Sequence, residues 1–195
     1  MPALELDILK SIKMENLIEN YPVFIETGTY MGQTIFKFEK LFDQLHTIEI
    51  KPDFYNRVKN IYQGNKITFH LGDSSIKLNE ICPTITNNTI FFLDGHWSAG
   101  NTGRGNKDCP LYEELTAINE NLNTKAIIII DDCRLFGLGP NTTNGQEVCN
   151  WEDINNDTIL NLTKNRLEKY YNLPSELNEK DRLVLHLNEK NSVIN

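Results

Sequence analysis

The sequence predicts a single α/β domain built on a doubly wound, mostly parallel sheet, and three observations lead to this fold class. Short apolar runs without period-two alternation recur along the chain, as in strands that are buried on both faces. Segments with apolar residues at helical spacing separate these runs, which indicates crossovers between parallel strands. The chain has 195 residues and is 39% hydrophobic, so it can bury one sizeable core and requires no second domain.

The predicted elements alternate along the chain. An N-terminal helical segment (1–21) has apolar positions at helical spacing over residues 4–20, and Pro22 ends it. Strands are predicted at "VFIETG", "LHTIEI", "KITFHLGD", "TIFFLDGHW", "AIIIIDD" and "RLVLHLN". Helices are predicted at "QTIFKFEKLF", "SSIKLNEICPTI" and "PLYEELTAINENL", from Pro52 to about Tyr62, and from about 156 to 171, after an irregular segment at about 134–150.

Two of these helices have an apolar face that we expect to be buried. Their predicted buried residues are Ile35, Phe36 and Leu41 in the first, and Phe54, Val58 and Ile61 in the second.

Charge and composition exclude several classes of function. The net charge is -8, and the basic residues are scattered, so we expect neither a nucleic-acid partner nor a membrane partner. There is no apolar stretch of membrane-spanning length and no signal peptide at the N-terminus, which predicts a soluble, cytoplasmic protein. The four cysteines form no CxxC pair, and we interpret them as free thiols.

Carboxylates end five successive predicted strands. Ligands of open α/β sheets bind outside the carboxyl ends of the strands, so these acids are expected along one edge of the sheet. An alternative for some of them is that they only cap the helices that follow. The acids are Glu26, Glu49, Asp73, Asp94, Asp131 and Asp132.

The turn in "FIETGTYMGQTI" after the first strand is suited to hold a ligand. Gly28 permits a tight turn with positive φ, and Gly32 lets backbone or ligand approach the start of the next helix. The dinucleotide fingerprint G-x-G-x-x-G is absent, because Tyr30 stands between the two glycines. Glu26 would also repel a pyrophosphate, so a cationic ligand is favoured.

"ETGTYMGQT" resembles the first motif of class I S-adenosylmethionine-dependent methyltransferases, in the variant E-x-G-x-Y-x-G-x-S/T of small-molecule O-methyltransferases such as the catechol and caffeoyl-CoA enzymes. The resemblance spans residues 22–135 and leaves 136–195 outside. It implies a Rossmann-like domain with a mostly parallel seven-stranded sheet and an antiparallel last strand. It also implies the cofactor-binding residues Glu26, Thr27, Gly28, Thr29, Tyr30, Gly32, Glu49 (ribose hydroxyls), Asp73 (adenine), Ser74, Ser75 and Asp94.

"FFLDGHW" and "IIIIDD" look like the metal-binding segments of the catechol group. Asp94, Asp131 and Asp132 offer the oxygen ligands that Mg²⁺ or Mn²⁺ takes, and a bound cation would lower the pKa of an acceptor hydroxyl. Three such carboxylates would repel one another without a cation. An alternative is that one of the Asp131–Asp132 pair only caps the following turn.

His96 is the candidate general base, because imidazole accepts a proton near neutral pH. Alternatively, His96 is a metal ligand or forms a hydrogen bond to one of the ligands. The chain departs from the catechol pattern here, since Gly95 intervenes and Ser98 stands where a catalytic lysine is expected. The base and the substrate of that group therefore do not carry over.

Two residues are candidates for contact with the acceptor. Trp97 can stack on a substrate ring, a sugar face or the adenine, or can simply pack in the fold. Arg104 belongs to the polar loop "SAGNTGRGNKDC", which can fold over the substrate or remain exposed.

The sequence thus predicts a divalent-metal-dependent O-methyltransferase that uses S-adenosylmethionine and acts on a small polar acceptor. A sugar or glycan hydroxyl is preferred, because the strand ends D-G-H and D-D also look like those of glycan and antibiotic-sugar O-methyltransferases. The alternatives are a catechol-like phenol as acceptor and a non-catalytic nucleotide- or metabolite-binding module. A nicotinamide oxidoreductase is disfavoured by the missing third glycine and by Glu26. The oligomeric state is left open.

Overall fold

The computed structural model describes residues 4–140, 142–143, 146–147 and 149–190. Its main sheet has seven strands, and a separate pair of two-residue strands follows the fifth. The strands are β1 (Val23–Thr27), β2 (Gln44–Glu49), β3 (Ile67–Leu71), β4 (Thr89–Leu93), β5 (Ala126–Ile130), β6 (Thr142–Thr143), β7 (Gln146–Glu147), β8 (Leu167–Leu173) and β9 (Arg182–Leu187).

The helices connect the strands in the predicted alternation. They are α1 (Leu6–Ser11), α2 (Leu17–Asn20), α3 (Gln33–Phe38), α4 (Pro52–Ile61), α5 (Ser74–Ile81), α6 (Leu111–Asn121) and α7 (Asn156–Thr163). Single 3₁₀ turns follow α5 at Cys82–Thr84 and β5 at Cys133–Leu135. None of the helices in the described ranges is long and apolar enough to cross a bilayer. The four cysteines are free thiols, as expected.

The sheet order is β3-β2-β1-β4-β5-β9-β8. Strands β1 to β5 pair in parallel, and β9, the last strand of the chain, pairs antiparallel with both β5 and β8. The predicted fold class is confirmed. The strand order reverses between β1 and β4, so the turns after these two strands flank the point where such sheets bind their ligands.

Two hydrophobic layers cover the sheet. Side chains of β5 alternate between them, because successive residues of a strand point to opposite faces. Ile128 packs in the layer with α5, α6 and α7, whereas Ile127 and Ile129 pack in the layer with α1, α2 and α3. Every residue of β1, β4 and β5 is buried, which explains why these strands lack period-two alternation in the sequence.

The N-terminal helical segment is two short helices rather than the predicted single one. Lys13 (φ 50°) and Asn16 (φ 52°) adopt left-handed backbone conformations between α1 and α2, and a continuous right-handed helix cannot pass through such residues. Ile8, Ile12 and Leu17 are nevertheless buried. Residues 1–3 of this segment lie outside the described residues.

The predicted apolar faces are only partly correct. Ile35 and Val58 are buried, and Phe36 and Phe54 are half-buried, but Leu41 and Ile61 are 41% and 61% exposed. Helix α3 ends at Phe38 instead of continuing to Phe42 as predicted. The turn that follows directs the Phe38 and Phe42 rings into the core, where both contact Phe24. Ile61 is the last residue of α4 and faces outward.

The helix predicted at about 156–171 is wrong in its second half. Helix α7 ends at Thr163, and Leu167–Leu173 forms β8, which pairs with β9 at the edge of the sheet. Because β8 is an edge strand with mostly exposed side chains, it has no apolar run that would mark it as a strand. Residues 141, 144, 145 and 148 of the predicted irregular segment, and residues 191–195, lie outside the described residues.

A buried arginine joins the end of α7 to α6. The Arg166 guanidinium donates hydrogen bonds to backbone carbonyls at the C-terminus of α6, including those of Leu122 (2.8 Å) and Asn119 (3.1 Å). The last carbonyls of a helix have no partner within the helix. Arg166 satisfies several of them at once and fixes α6 against the segment that leads into β8.

Candidate active site

A cleft lies at the carboxyl ends of β1 to β4, where the strand order reverses. Turns that follow four different strands form its walls. Six of the residues implied by the resemblance line it, and His96 lines it as well. The six are Gly28, Tyr30, Glu49, Asp73, Ser74 and Asp94.

The turn after β1 is held close to the turn after β4. Gly28 has φ +84°, and a Cβ atom there would collide with the carbonyl oxygen of Asp94. The Gly28 N–H donates to the carbonyl of Ile48 (2.9 Å). Glycine is therefore required for both its backbone angle and the close approach.

Gly32 starts α3 with φ +75°. A Cβ atom at this position would lie 2.7 Å from Cγ1 of Val58. A side chain of α4 thus makes a close approach to Gly32.

Glu49 is held by backbone amides at the end of β2. Its Oε2 accepts from the Tyr30 N–H (2.8 Å), and its Oε1 accepts from the Lys51 N–H (2.9 Å). Burial raises the Glu49 pKa, while these hydrogen bonds oppose the shift. A carboxylate has about four acceptor positions, so Glu49 has a fixed orientation and retains acceptor capacity toward the cleft.

Asp73 is both a helix cap and a cleft residue. Its Oδ1 accepts from the Ser75 N–H (3.0 Å) and the Ser75 hydroxyl (2.6 Å), which caps α5. Its Oδ2 faces the segment above the cleft, since a Cβ atom on Gly105 would lie 2.8 Å from it. The capping alternative therefore accounts for one oxygen of Asp73 only.

Residues 101–107, here called the cover segment, cross the cleft. Lys51 Nζ donates to the backbone and side-chain oxygens of Asn101. Gly103 packs so closely on Ile50 that a Cβ atom there would collide with its Cγ2. The sequence associated this loop with the acceptor, but the structure places it over Glu49 and Asp73.

The other five residues implied for cofactor binding are Glu26, Thr27, Thr29, Gly32 and Ser75, and they lie behind the lining of the cleft. Glu26 accepts a hydrogen bond from the Thr47 hydroxyl (2.7 Å). Burial raises its pKa to about 8, the Thr47 hydrogen bond opposes the shift, and the charge of Glu49 adds to it. Glu26 therefore holds a proton at neutral pH and does not supply the negative charge that favoured a cationic ligand.

Asp94, His96 and Asp132 form a buried group that we call the acid–histidine cluster. Their ligand atoms all lie within 4.8 Å of one another. His96 Nε2 is 3.1 Å from Asp132 Oδ2, and His96 Nδ1 is 3.4 Å from Asp94 Oδ1. The His96 ring also meets the ring of Trp151 edge-on at 4.7 Å.

Asp94 is the least compensated member of this cluster. Among the described residues its Oδ1 has no hydrogen-bond partner. Burial, with the charges of Asp131 and Asp132, raises the Asp94 pKa well above its ordinary value. For Asp132, burial acts in the same direction, but His96 and Arg134 outweigh it and lower its pKa to about 2.

Asp131, the third metal ligand predicted from the sequence, is outside this cluster. Arg182 Nε donates to Asp131 Oδ1 (3.0 Å), and both residues are buried. Asp131 does group with Asp132 and Asp181, but Arg134 Nη1 already contacts both of the latter. Arginines of the chain thus neutralise this second group.

The two residues predicted to contact the methyl acceptor, Trp97 and Arg104, contact each other. The guanidinium carbon of Arg104 lies 4.0 Å from the centre of the Trp97 ring, and Trp97 is 8% exposed. Arg104 Nε also donates to Asp108 Oδ1 (2.7 Å). Neither Trp97 nor Arg104 lines the cleft.

Sequence reasoning missed Glu114, Trp151, Arg134 and Arg182. Glu114 had a local signal, since an acid occurs in the apolar stripe of α6 formed by Leu111, Leu115 and Ile118. Arg134 had one too, since it follows Asp132, which it contacts, by two residues. Trp151 and Arg182 contact the site through the tertiary fold.

No model of a protein family matches the chain, and no curated protein matches it. Solved structures do match. The N-methyltransferase NodS from Bradyrhizobium japonicum WM9 superposes with a TM-score of 0.56 at 10% identity, covering 95% of this chain and 96% of that chain. The structure of NodS with S-adenosyl-l-homocysteine gives a TM-score of 0.54 at 11% identity, covering 95% and 87%. A chain of the fibrillarin/Nop5p complex gives 0.54 at 13% identity, covering 88% and 74%.

At these identities the likeness concerns the fold. The chain has the Rossmann-like fold of class I S-adenosylmethionine-dependent methyltransferases, as the resemblance implied.

Proposed function

We propose that the chain is an S-adenosylmethionine-dependent methyltransferase whose cofactor occupies the cleft. Glu49 is placed to accept hydrogen bonds from the two ribose hydroxyls, because backbone amides fix its carboxylate at the end of β2. Asp73 also lines the cleft, and its Oδ2 would contact the adenine. The same fold in NodS, whose structure contains S-adenosyl-l-homocysteine, supports this assignment.

One observation carries the proposal: Asp94 belongs both to the cleft and to the acid–histidine cluster. A cofactor in the cleft would therefore present its methyl group beside that cluster. Methyl transfer is an in-line displacement, which requires the acceptor oxygen close to the methyl carbon. The cluster is where an acceptor hydroxyl would be bound and deprotonated.

The cluster also fits a divalent cation held by Asp94 and Asp132. The buried Oδ1 of Asp94 supports this, because it accepts no hydrogen bond among the described residues and a buried carboxylate without such compensation is costly. Carboxylates with a nearby imidazole suit Mn²⁺ at least as well as Mg²⁺. When bound, such a cation would lower the pKa of an acceptor hydroxyl.

His96 would accept the proton from that hydroxyl. Its Nε2 lies 3.1 Å from Asp132 Oδ2 and 3.1 Å from Ser98 Oγ, and the Trp151 ring limits its rotation. Replacing His96 with glutamine separates this role from that of a ligand. A base can be lost without a change in Mn²⁺ affinity, whereas loss of a ligand weakens Mn²⁺ binding.

We propose a sugar or glycan hydroxyl as the acceptor. Trp97 is covered by Arg104, and Trp151 is 3% exposed against His96. Neither indole therefore offers an open face for stacking on an acceptor ring, so the acceptor would be held through its hydroxyl groups. Vicinal hydroxyls of a sugar can chelate a cation as those of a catechol do.

Transfer of labelled methyl groups from S-adenosylmethionine to panels of sugars and catechols tests this function. We expect methylation of a sugar hydroxyl that EDTA abolishes and that Mn²⁺ or Mg²⁺ restores. Turnover that is insensitive to EDTA would refute the metal, and turnover on catechols alone would refute the sugar. Cofactor binding without transfer to any acceptor would favour the non-catalytic binding module.

A further inference from the structure

Glu114 is a buried carboxyl group that the proposed reaction does not use. It lies in the first turns of α6 and is 2% exposed. Its Oε1 has no hydrogen-bond partner among the described residues. Burial raises its pKa to about 7, whereas hydrogen bonding from the hydroxyls of Ser74 and Thr27 opposes that shift. A lone acid in such an environment is destabilising, so its presence requires an explanation.

The Glu114 carboxyl lies directly behind the wall of the cleft. A Cβ atom on Gly95 would be 2.8 Å from Glu114 Oε1 and 2.9 Å from Thr27 Oγ1. Gly95 lines the cleft, as does Ser74. Glycine at position 95 thus leaves the space in which the carboxyl and the Thr27 hydroxyl lie.

The Thr27 hydroxyl lies beside the carboxyl of Glu114. The hydroxyl oxygen accepts a hydrogen bond from the Asp94 N–H (3.2 Å). Because a hydroxyl has one proton, the Thr27 proton is free to be donated to the carboxyl of Glu114. Glu114 is in this way connected through Thr27 to the backbone of Asp94, and through Ser74 to the start of α5 beside Asp73.

We infer that Glu114 is a positioning residue for cofactor binding. It holds the turns after β1, β3 and β4, which together form the cleft, in the arrangement that the adenosyl group requires. This inference rests on the proposed function. It goes beyond that function because it assigns cofactor affinity to a residue of α6 that does not touch the cofactor.

Two variants separate this role from a purely structural one. Glu114→Leu keeps most of the side-chain volume but removes both acceptors, and replacing a poorly compensated buried charge with an apolar side chain often leaves the fold as stable or more so. Glu114→Gln keeps an acceptor oxygen. An acid variant of the same helix, Glu120→Gln, is the matched control, since the Glu120 side chain is exposed.

Titration calorimetry with S-adenosyl-l-homocysteine, together with thermal unfolding, is the test. We expect Glu114→Leu to bind about 10-fold more weakly with an equal or higher Tm, and Glu114→Gln to remain within about 3-fold of wild type. In turnover assays the cofactor KM should rise while kcat changes by less than about 3-fold. The inference would be overturned if Glu114→Leu bound S-adenosyl-l-homocysteine as tightly as wild type. It would also be overturned if both variants lost affinity in step with a falling Tm.

Glu114→Met provides a second measurement if the leucine variant does not fold, because methionine also removes both acceptor oxygens at similar side-chain volume. It should weaken binding about 10-fold without a fall in Tm, and unchanged affinity would also overturn the inference. Absence of binding to folded wild-type protein would refute the proposed function itself, and this inference with it. Binding by wild type that neither Glu114→Leu nor Glu114→Met alters would refute the inference alone.

Discussion

The two halves of the site are built in different ways. The half proposed to bind the cofactor, here called the cofactor half, is made by the turns after β1 to β3 and depends on glycine geometry and on backbone amides that hold Glu49. The half after β4 and β5 depends on side-chain charges, which pair with Arg134, two residues beyond Asp132, and with Arg182, 51 residues beyond Asp131. The geometry of the first half is therefore set by the local backbone conformation. The geometry of the second half is set by ion pairs between its side chains.

This difference explains why the acids of the site are not equivalent. Asp131 is paired with Arg182, and Asp132 with Arg134, so both are compensated within the chain. Asp94 has no such partner for its Oδ1 among the described residues. It is therefore the carboxylate with the strongest need for a bound cation.

The largest effect is expected at Asp94, where the two halves meet. Asp94→Asn removes the proposed cation ligand, so turnover should fall about 1,000-fold, which corresponds to about 4 kcal/mol. The Tm of the metal-free protein should change little, because burial raises the Asp94 pKa well above its ordinary value and so favours the neutral carboxyl form, which the amide resembles. Steady-state kinetics and thermal unfolding check both statements. Normal turnover by the variant would exclude Asp94 from the reaction.

A second variant breaks the cofactor half through its backbone. Gly28→Ala places a Cβ atom against the Asp94 carbonyl in a left-handed backbone conformation. Binding of S-adenosyl-l-homocysteine should weaken about 100-fold, or about 3 kcal/mol.

Gly137→Ala is the matched control for this variant. Gly137 has a similar φ of +77°, but a Cβ atom there would meet nothing within 4 Å. It should cost about 1–2 kcal/mol of stability through the backbone angle and leave affinity unchanged. Equal affinity in the two variants would show that the close approach at Gly28 is unimportant.

A third variant tests whether charge compensation, not metal binding, is the role of Asp131. Asp131→Asn leaves the Arg182 guanidinium buried without its carboxylate, so stability should fall by about 3 kcal/mol. Binding of Mn²⁺ should change by less than about 3-fold. Denaturant unfolding and metal titration measure the two effects. Loss of Mn²⁺ binding at unchanged stability would restore Asp131 as a ligand.

The smallest effect concerns Glu26 and appears as a dependence on pH. Its pKa is about 8 in the folded chain and has its ordinary value of 4.5 when unfolded. Between these values the folded state binds more protons, so stability is lost as pH rises. Wild type should therefore lose about 2 kcal/mol relative to Glu26→Gln between pH 5 and pH 7. If the stability of wild type and of Glu26→Gln changed with pH in the same way, Glu26 would not hold a proton in the folded chain.

The sequence was sufficient for most of the sheet and for the turn after β1. Strands β1, β4 and β5 are buried on both faces, so their apolar runs identify them directly. The positive φ predicted at Gly28 is confirmed, whereas the positive φ of Gly32 was not predicted. In contrast, β8 is an exposed edge strand whose pairing with β9 depends on tertiary contact, and its sequence was interpreted as helix.

The acid-rich half was predictable in its residues but not in its grouping. Asp94 and Asp132 were expected to share a cation with Asp131. Arg182, 51 residues further along the chain, pairs with Asp131 instead. No local pattern shows which carboxylate a distant arginine will neutralise. His96 was expected beside these carboxylates as a base or a ligand, and it lies between Asp94 and Asp132.

The central claim is that the cleft binds the methyl-donor cofactor, and calorimetric titration of S-adenosyl-l-homocysteine tests it most directly. We predict micromolar affinity for wild type and at least about 10-fold weaker binding for Glu49→Ala, because the ribose hydroxyls lose their acceptor. The titration should be repeated with Mn²⁺. No binding to folded, metal-loaded protein, or equal binding by Glu49→Ala, would contradict the account.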